Sequence, residues 1–357
     1  MEIEIRGAPA HTRTLDVVLT QAGPGRLDAH GIILDLRKRG LVPMAGDLQA
    51  SGVIHHMRVD ARVDVGGPTL ESIRAEQQNV AFEPSPATGG ECCRDPVKRI
   101  EALAGTRLDA SWSKRLGGAI GGPRGCSHVL TLAQLMGSCT LAALELDRAR
   151  HGPSPARAEG ERVFDRCLSV DGVESPEGDL QLALQLADLH FAPAPPDAEA
   201  LDRLAGQREL RVDALVDLQT MTLTRIAAAE RTSDAKTLQD AAWEPCDVRF
   251  LEGRSALVGM ARALFEELGD APEQRPLLDL LLNLAPGVIQ CIPALTRYWQ
   301  RLRESQPSGK ASEAGASGRM TGGMVDSCYM WRRDGALGRR MAAEPPTQTE
   351  WARRSRD

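Results

Sequence analysis

Apolar residues recur at every second position in four stretches of the first half of the chain, 15–19, 27–36, 57–63 and 70–75. This alternation predicts strands with one buried face. Gly23-Pro24-Gly25 separates the first pair and Gly66-Gly67-Pro68 the second, so each pair reads as a hairpin. The same alternation returns at 168–170, 180–189, 210–218 and 223–228. After each set of four strands the period lengthens to that of amphipathic helices, at 96–104 and 129–147 in the first half and at 255–268 and 276–298 in the second.

The two halves also repeat in sequence. Arg58-Val59-Asp60-Ala61-Arg62-Val63-Asp64 matches Arg211-Val212-Asp213-Ala214-Leu215-Val216-Asp217 at six of seven positions, an offset of 153. The same offset, without a gap, carries Arg13 onto Arg166, Leu27 onto Leu180, Asp35-Leu36 onto Asp188-Leu189, Thr69-Leu70 onto Thr222-Leu223 and Ile73 onto Ile226. Further on the offset is 152, where Leu116-Gly117 meets Leu268-Gly269 and Cys139 meets Cys291. One register kept for so long indicates duplication. The predicted fold class is therefore α+β, with two tandem modules, each a small antiparallel sheet with helices on one face, packed as a pseudo-dimer. The expected boundaries are 1–150 for the first repeat, 160–303 for the second, 304–323 for a Gly/Ser/Ala-rich flexible linker and 324–357 for a C-terminal segment that completes the first repeat.

Composition narrows the functional classes. The 357 residues suffice for two cores, and with aromatics at 3% those cores must be built from Leu, Val, Ile and Ala. A net charge of −6 gives no overall footprint for nucleic acid, and the Arg-rich tail at 332–356 reads as a solvated basic terminus. No run of about eighteen uninterrupted apolar residues predicts a membrane span, and no leader pattern follows Met1, so the expected location is the cytoplasm. The eight cysteines lack the regular spacing of a secreted disulfide framework.

The repeat also sorts the reactive side chains. His11 faces Phe164, His55 faces Arg208, His56 faces Glu209, and Cys126-Ser127-His128 faces Leu278-Asp279-Leu280. Residues needed only to make the fold should be needed twice, so those present once mark a site in the first half. Gly125-Cys126-Ser127-His128 stands immediately before a predicted helix, where the positive end of the dipole and free N–H groups favour a thiolate. Cys126 and His128, with His55 and His11, are the candidate catalytic residues. Cys126, His128, Cys93 and Cys328 are the candidate metal ligands, for zinc or iron, although no CxxC pair is present. The alternative for Cys126 and His128 is a buried thiol beside a capping-turn imidazole. Cys139 and Cys291 match across the repeat on apolar helical faces and read as core. His55 and His56, neighbours on one strand, must point to opposite sides. Neither a G-x-S-x-G nor a nucleotide-binding glycine pattern occurs.

His11-Thr12-Arg13, Ile54-His55-His56-Met57, Leu116-Gly117-Gly118 with Gly125-Cys126-Ser127-His128, and Asp326-Ser327-Cys328 followed by Asp334-Gly335 occur in the order of the bacterial domain-of-unknown-function 2889 family, which the chain resembles. The family usually has Thr at the position of Ser127 and Asp at that of His56. In its single-domain members the Asp-x-Cys segment follows the Cys-x-His helix fairly soon, so the resemblance implies that Cys328 ends the first repeat and returns to Cys126. In architecture the first half is more faintly similar to NifU-type iron–sulfur scaffolds, which implies metal at Cys93 and Cys126, but the early Gly-Cys-Gly-Asp motif of that group is missing.

Together these features predict an enzyme, a lyase or hydrolase, acting on a small organic substrate of aromatic or acyl type at the Cys/His site of the first repeat. The alternatives are a metal-binding or iron–sulfur scaffold without turnover and an interaction module with buried thiols. The expected partner is a small-molecule substrate, with neither nucleic acid nor membrane, and a homo-oligomer fits the pattern.

Overall fold

A computed structural model describes residues 7–304, apart from 41, 45–46, 153–154, 196, 235–240 and 270, and also 325–343. The alternating stretches all form strands: β1 (Ala8–Gln21), β2 (Arg26–Arg37), β5 (Gly52–Asp64) and β6 (Thr69–Asn79) in the first half, and β7 (Arg162–Glu174), β8 (Leu180–Phe191), β9 (Leu204–Asp217) and β10 (Thr222–Ser233) in the second. A two-strand ribbon, β3 (Val42–Met44) with β4 (Asp47–Gln49), interrupts the first set, and β11 (Glu244–Cys246) extends the second.

The two sets of strands do not form separate sheets, as the sequence led us to expect. They are joined in one nine-stranded antiparallel sheet in the order β11-β10-β9-β8-β7-β1-β2-β5-β6. The seam is the pairing of β1 with β7, in which Leu15 lies opposite Leu168. Joining there pairs a strand edge that each set would otherwise expose. The apolar side chains of both halves accordingly form one continuous buried cluster, and the opposite sheet face is only partly covered.

All but the last of the helices described pack on the buried face, and the last joins a separate cluster with Phe82 and Met330. The helices are α1 (Trp112–Ile120), α2 (Ser127–His151), α3 (Met260–Leu268), α4 (Arg275–Leu281), α5 (Leu284–Cys291), α6 (Thr296–Glu304) and α7 (Ala336–Ala343). The helix expected over 276–298 is split between α4, α5 and α6. Pro286 explains the first break, because it has no N–H to give and its ring would clash with the carbonyl of Leu282. The segment 96–104 forms 3-10 turns at Val97–Leu103. Helix α2 comes close to the sheet at Gly31, where a Cβ would lie 2.9 Å from the sulfur of Met136 and 3.0 Å from a methyl of Leu132. Cys139 and Cys291 are buried in the core.

Two helical stretches, 127–151 and 275–294, are long and apolar enough to cross a bilayer, but 56% and 67% of them is already buried against protein. The proposed linker, 304–323, lies almost wholly outside the described residues. Beyond it, the amide of Tyr329 donates to the carbonyl of Gly125 at 2.8 Å, and Arg332 pairs with Glu91. Phe82, Met330 and Leu337 form a small apolar cluster there, with Cys93 and Cys328 against it.

Candidate functional site

The site begins as one row of side chains across three strands. Arg13 on β1 lies opposite Asp35 on β2, and Asp35 lies opposite His55 on β5. All three point into the buried face, and Asp35 is 0% exposed. A register shift beside His55 inserts an extra residue, Ile54, so that both Ile54 and His55 are buried while His56 turns to the other face. His11 lies inside β1, two residues before Arg13 on the same face, and not ahead of the strand. The fourth side chain comes from the first turn of α2, which brings His128 down onto Asp35.

Asp35 is the hub. Arg13 donates to both of its oxygens, Nε to Oδ1 at 2.9 Å and Nη2 to Oδ2 at 3.1 Å. His55 Nδ1 lies 3.1 Å from Oδ2 and His128 Nε2 3.2 Å from the same oxygen. The His55 and His128 rings are tilted over each other with centres 3.9 Å apart. His11 Nε2 stops 3.6 Å from Oδ1, too far for a hydrogen bond, and is left buried without a partner. Burial alone would raise the Asp35 carboxyl, but the Arg13 charge and the hydrogen bonds from His128 and His55 hold it well below its ordinary range. Burial lowers His128 to about 3, helped by His55, and lowers His11 to about 4 against the pull of Asp35. His11 and His128 are therefore neutral near pH 7, the form in which imidazole binds metals.

One ligand atom from each of Asp35, His55 and His128 lies within 4.8 Å of the others. Two such groups occur among the described residues, and neither contains a cysteine. The sequence-based ligand set of Cys126, His128, Cys93 and Cys328 is thus divided: only His128 joins a convergent group. Cys126 sits on the far side of the His128 ring, its sulfur 3.8 Å from Nδ1 and 3.9 Å from the Met57 sulfur. It does occupy the position ahead of α2, as expected. The expected thiolate does not follow. Burial pushes the Cys126 thiol up to about 11 and outweighs the amides of Val129 and His128 beside it. Cys93 and Cys328, close enough to Cys126 for the three charges to repel, are also raised, chiefly by burial.

Two further residues belong to the site. Gln290, on α5 of the second half, places its amide nitrogen 3.1 Å from His128 Nε2. Arg37, opposite His11 in the sheet, is 3% exposed, and no carboxylate pairs with it among the described residues. Its contacts are to Gln49 Oε1 at 3.5 and 3.4 Å, and its Nε has no partner. Arg13 and Asp35 were overlooked as site residues because the second half retains them as Arg166 and Asp188. The available signal was two charges at inward positions of apolar strands, which must pair when buried.

This fold and site define a class: a mixed α/β protein whose broad antiparallel sheet carries a buried carboxylate–imidazole centre beneath a helix N-terminus. Residues 11–142 match the family described as Protein of unknown function (DUF2889), as the sequence motifs implied. The matched segment contains His11, Arg13, Asp35, Arg37, His55, Cys93, Cys126 and His128. A search of curated proteins finds no match to the chain.

Proposed function

We propose that the first half of the chain is a metal-dependent lyase or hydrolase for a small anionic organic substrate, with a single divalent ion, zinc or iron, held by Asp35, His55 and His128. The observation that carries this reading is the pair of imidazole nitrogens 3.1 and 3.2 Å from Asp35 Oδ2. Atoms sharing an ion at about 2.0–2.1 Å stand roughly 3 Å apart. Two histidines and one carboxylate leave coordination positions open. The ring centres of His55 and His128, 3.9 Å apart, would have to spread toward the roughly 5 to 5.5 Å of two imidazoles on one tetrahedral zinc.

When bound, the ion polarises a substrate oxygen or acidifies a water. The protein's own groups do the rest. Arg13 fixes the Asp35 carboxylate from behind, and Gln290 stands beside the His128 nitrogen that would face the ion, so it would have to yield that nitrogen on loading. Arg37 is a buried cation with no carboxylate partner among the described residues, an arrangement costly to keep unless an anion completes it, and this supports an anionic substrate. His128 is 11% exposed and Ser127 is exposed, so the approach lies at the start of α2.

The pseudo-dimer reading gains support from three features. Leu15 and Leu168, equivalent by the offset of 153, lie opposite each other at the seam. Strand order mirrors about that seam. The halves also touch each other at neighbouring repeat positions: Gln290 reaches His128, while Ser138, its counterpart at offset 152, reaches Asp279, one residue before the counterpart of His128. The Tyr329–Gly125 hydrogen bond supports the reading that the C-terminal segment completes the first repeat.

The test is zinc content. Full-length protein stripped with a chelator, reloaded with zinc and freed of excess should lose one equivalent when Asp35→Asn or His55→Gln is introduced. An unchanged count in both variants contradicts the proposal.

A further inference from the structure

Helix α2 has a second carboxylate–imidazole group at its other end. Its 25 residues span about 36 Å, with His128 in the first turn and Asp147 and His151 in the last two. Asp147 and His151 are four residues apart and so share one helix face. They meet His190, which points inward from β8 of the second half. One ligand atom from each of the three lies within 4.8 Å of the others.

The hydrogen bonding leaves this group incomplete. His190 is 2% exposed, and its Nε2 lies 2.9 Å from Asp147 Oδ1. That contact assigns the Nε2 proton to the carboxylate and leaves Nδ1 as a lone pair, buried without a partner. His151 Nε2 is likewise buried and unpartnered. Two unused imidazole nitrogens beside a carboxylate that orients one of the rings is the arrangement that outer carboxylates impose on metal-bound histidines. The ring centres are 5.6 Å apart, close to the roughly 5 to 5.5 Å of two imidazoles on one tetrahedral ion. Arg157 also bonds Asp147 at 2.6 Å, and Glu161, 3.8 Å from Arg157, offsets its charge. The C-terminal end of α2 adds the negative pole of the helix.

We propose that His151 and His190, with Asp147 as the carboxylate that orients His190, form a second site for a divalent transition-metal ion, with zinc as the probe, which ties the end of the long first-half helix to the second-half sheet. None of these residues is repeated: their counterparts by offset are Trp299 for Asp147 and Arg37 for His190. The site lies beyond the family match at 11–142, and its role is to fasten the two halves rather than to act on substrate.

The test counts zinc in stripped and reloaded full-length protein, comparing wild type, His151→Gln, Asp147→Asn and His55→Gln. His151 is only half-buried, so His151→Gln should fold, and far-UV circular dichroism verifies that it does. The expected result is one equivalent lost in His151→Gln and in Asp147→Asn, with the zinc-induced rise in Tm reduced, and a different equivalent lost in His55→Gln. A folded His151→Gln protein that keeps the wild-type count overturns the second site. If His151→Gln loses an equivalent while His55→Gln loses none, the second site stands and the first centre falls.

Discussion

The two halves of this chain hold the same buried pair and complete it differently. In the first, Arg13 grips Asp35 and three imidazoles gather round the carboxylate. In the second, Arg166 grips Asp188 through two contacts of 2.6 Å and is closed from the other side by Asp279, which also accepts from Ser138. Arg208 stands where the first half has His55, and Leu280 where it has His128. A second carboxylate uses up the guanidinium and leaves a sealed ion network. Imidazoles around a carboxylate give it protons that a metal ion could replace. The two halves thus keep the same buried charge pair, and on the proposed reading only the first is open to chemistry.

The largest expected effect tests that contrast. Arg166→Leu leaves Asp188 and Asp279 buried without a cation and should destabilise the protein by about 3–5 kcal/mol. Arg13→Leu leaves only Asp35, which still accepts from His55 and His128, and should cost about 1–2 kcal/mol less. Urea unfolding of the two variants measures the difference. Equal losses would mean that the first-half imidazoles do nothing for Asp35.

A smaller effect reads the second network by pH. Burial pushes the Asp279 carboxyl up to about 6, against the pull of Arg166. The folded chain therefore holds this proton more tightly than the unfolded chain, where Asp titrates near 4. The stability it contributes is complete below about pH 4 and is lost as the pH rises through 6. Asp279→Asn removes this dependence, so the stability of wild type minus that of the variant should fall by about 2–3 kcal/mol between pH 4 and pH 7. A flat difference would place the Asp279 proton elsewhere.

Strand positions were legible because the sheet has one buried face, which writes itself as alternation from Leu15 to Val63 and again from Leu168 to Val216. The joining of the two sheets was not, since edge pairing between β1 and β7 is made by backbone groups that every residue carries. Helix limits failed at Pro286, and α1 was missed because Gly117 and Gly118 inside it lower its helix propensity. Subtraction of one repeat from the other pointed to His11, His55 and His128, which gather at Asp35, and to Cys126, which does not join them, and by the same operation hid Arg13 and Asp35, which both halves carry. Gln290 was invisible because it acts from the half taken as degenerate. The thiolate expectation for Cys126 failed because a helix terminus is worth less than the desolvation of a buried sulfur. His151 and His190 belong to no repeated motif, and only the fold brings them together.

The central claim is that the first-half centre binds its ion through imidazole and carboxylate, leaving the thiols of Cys93, Cys126 and Cys328 aside. X-ray absorption at the zinc edge, on the zinc-loaded His151→Gln protein so that only this centre is filled, tests it most directly. The account predicts nitrogen and oxygen neighbours alone, at about 2.0–2.1 Å. Sulfur at about 2.3 Å, or no bound zinc at all, would contradict it.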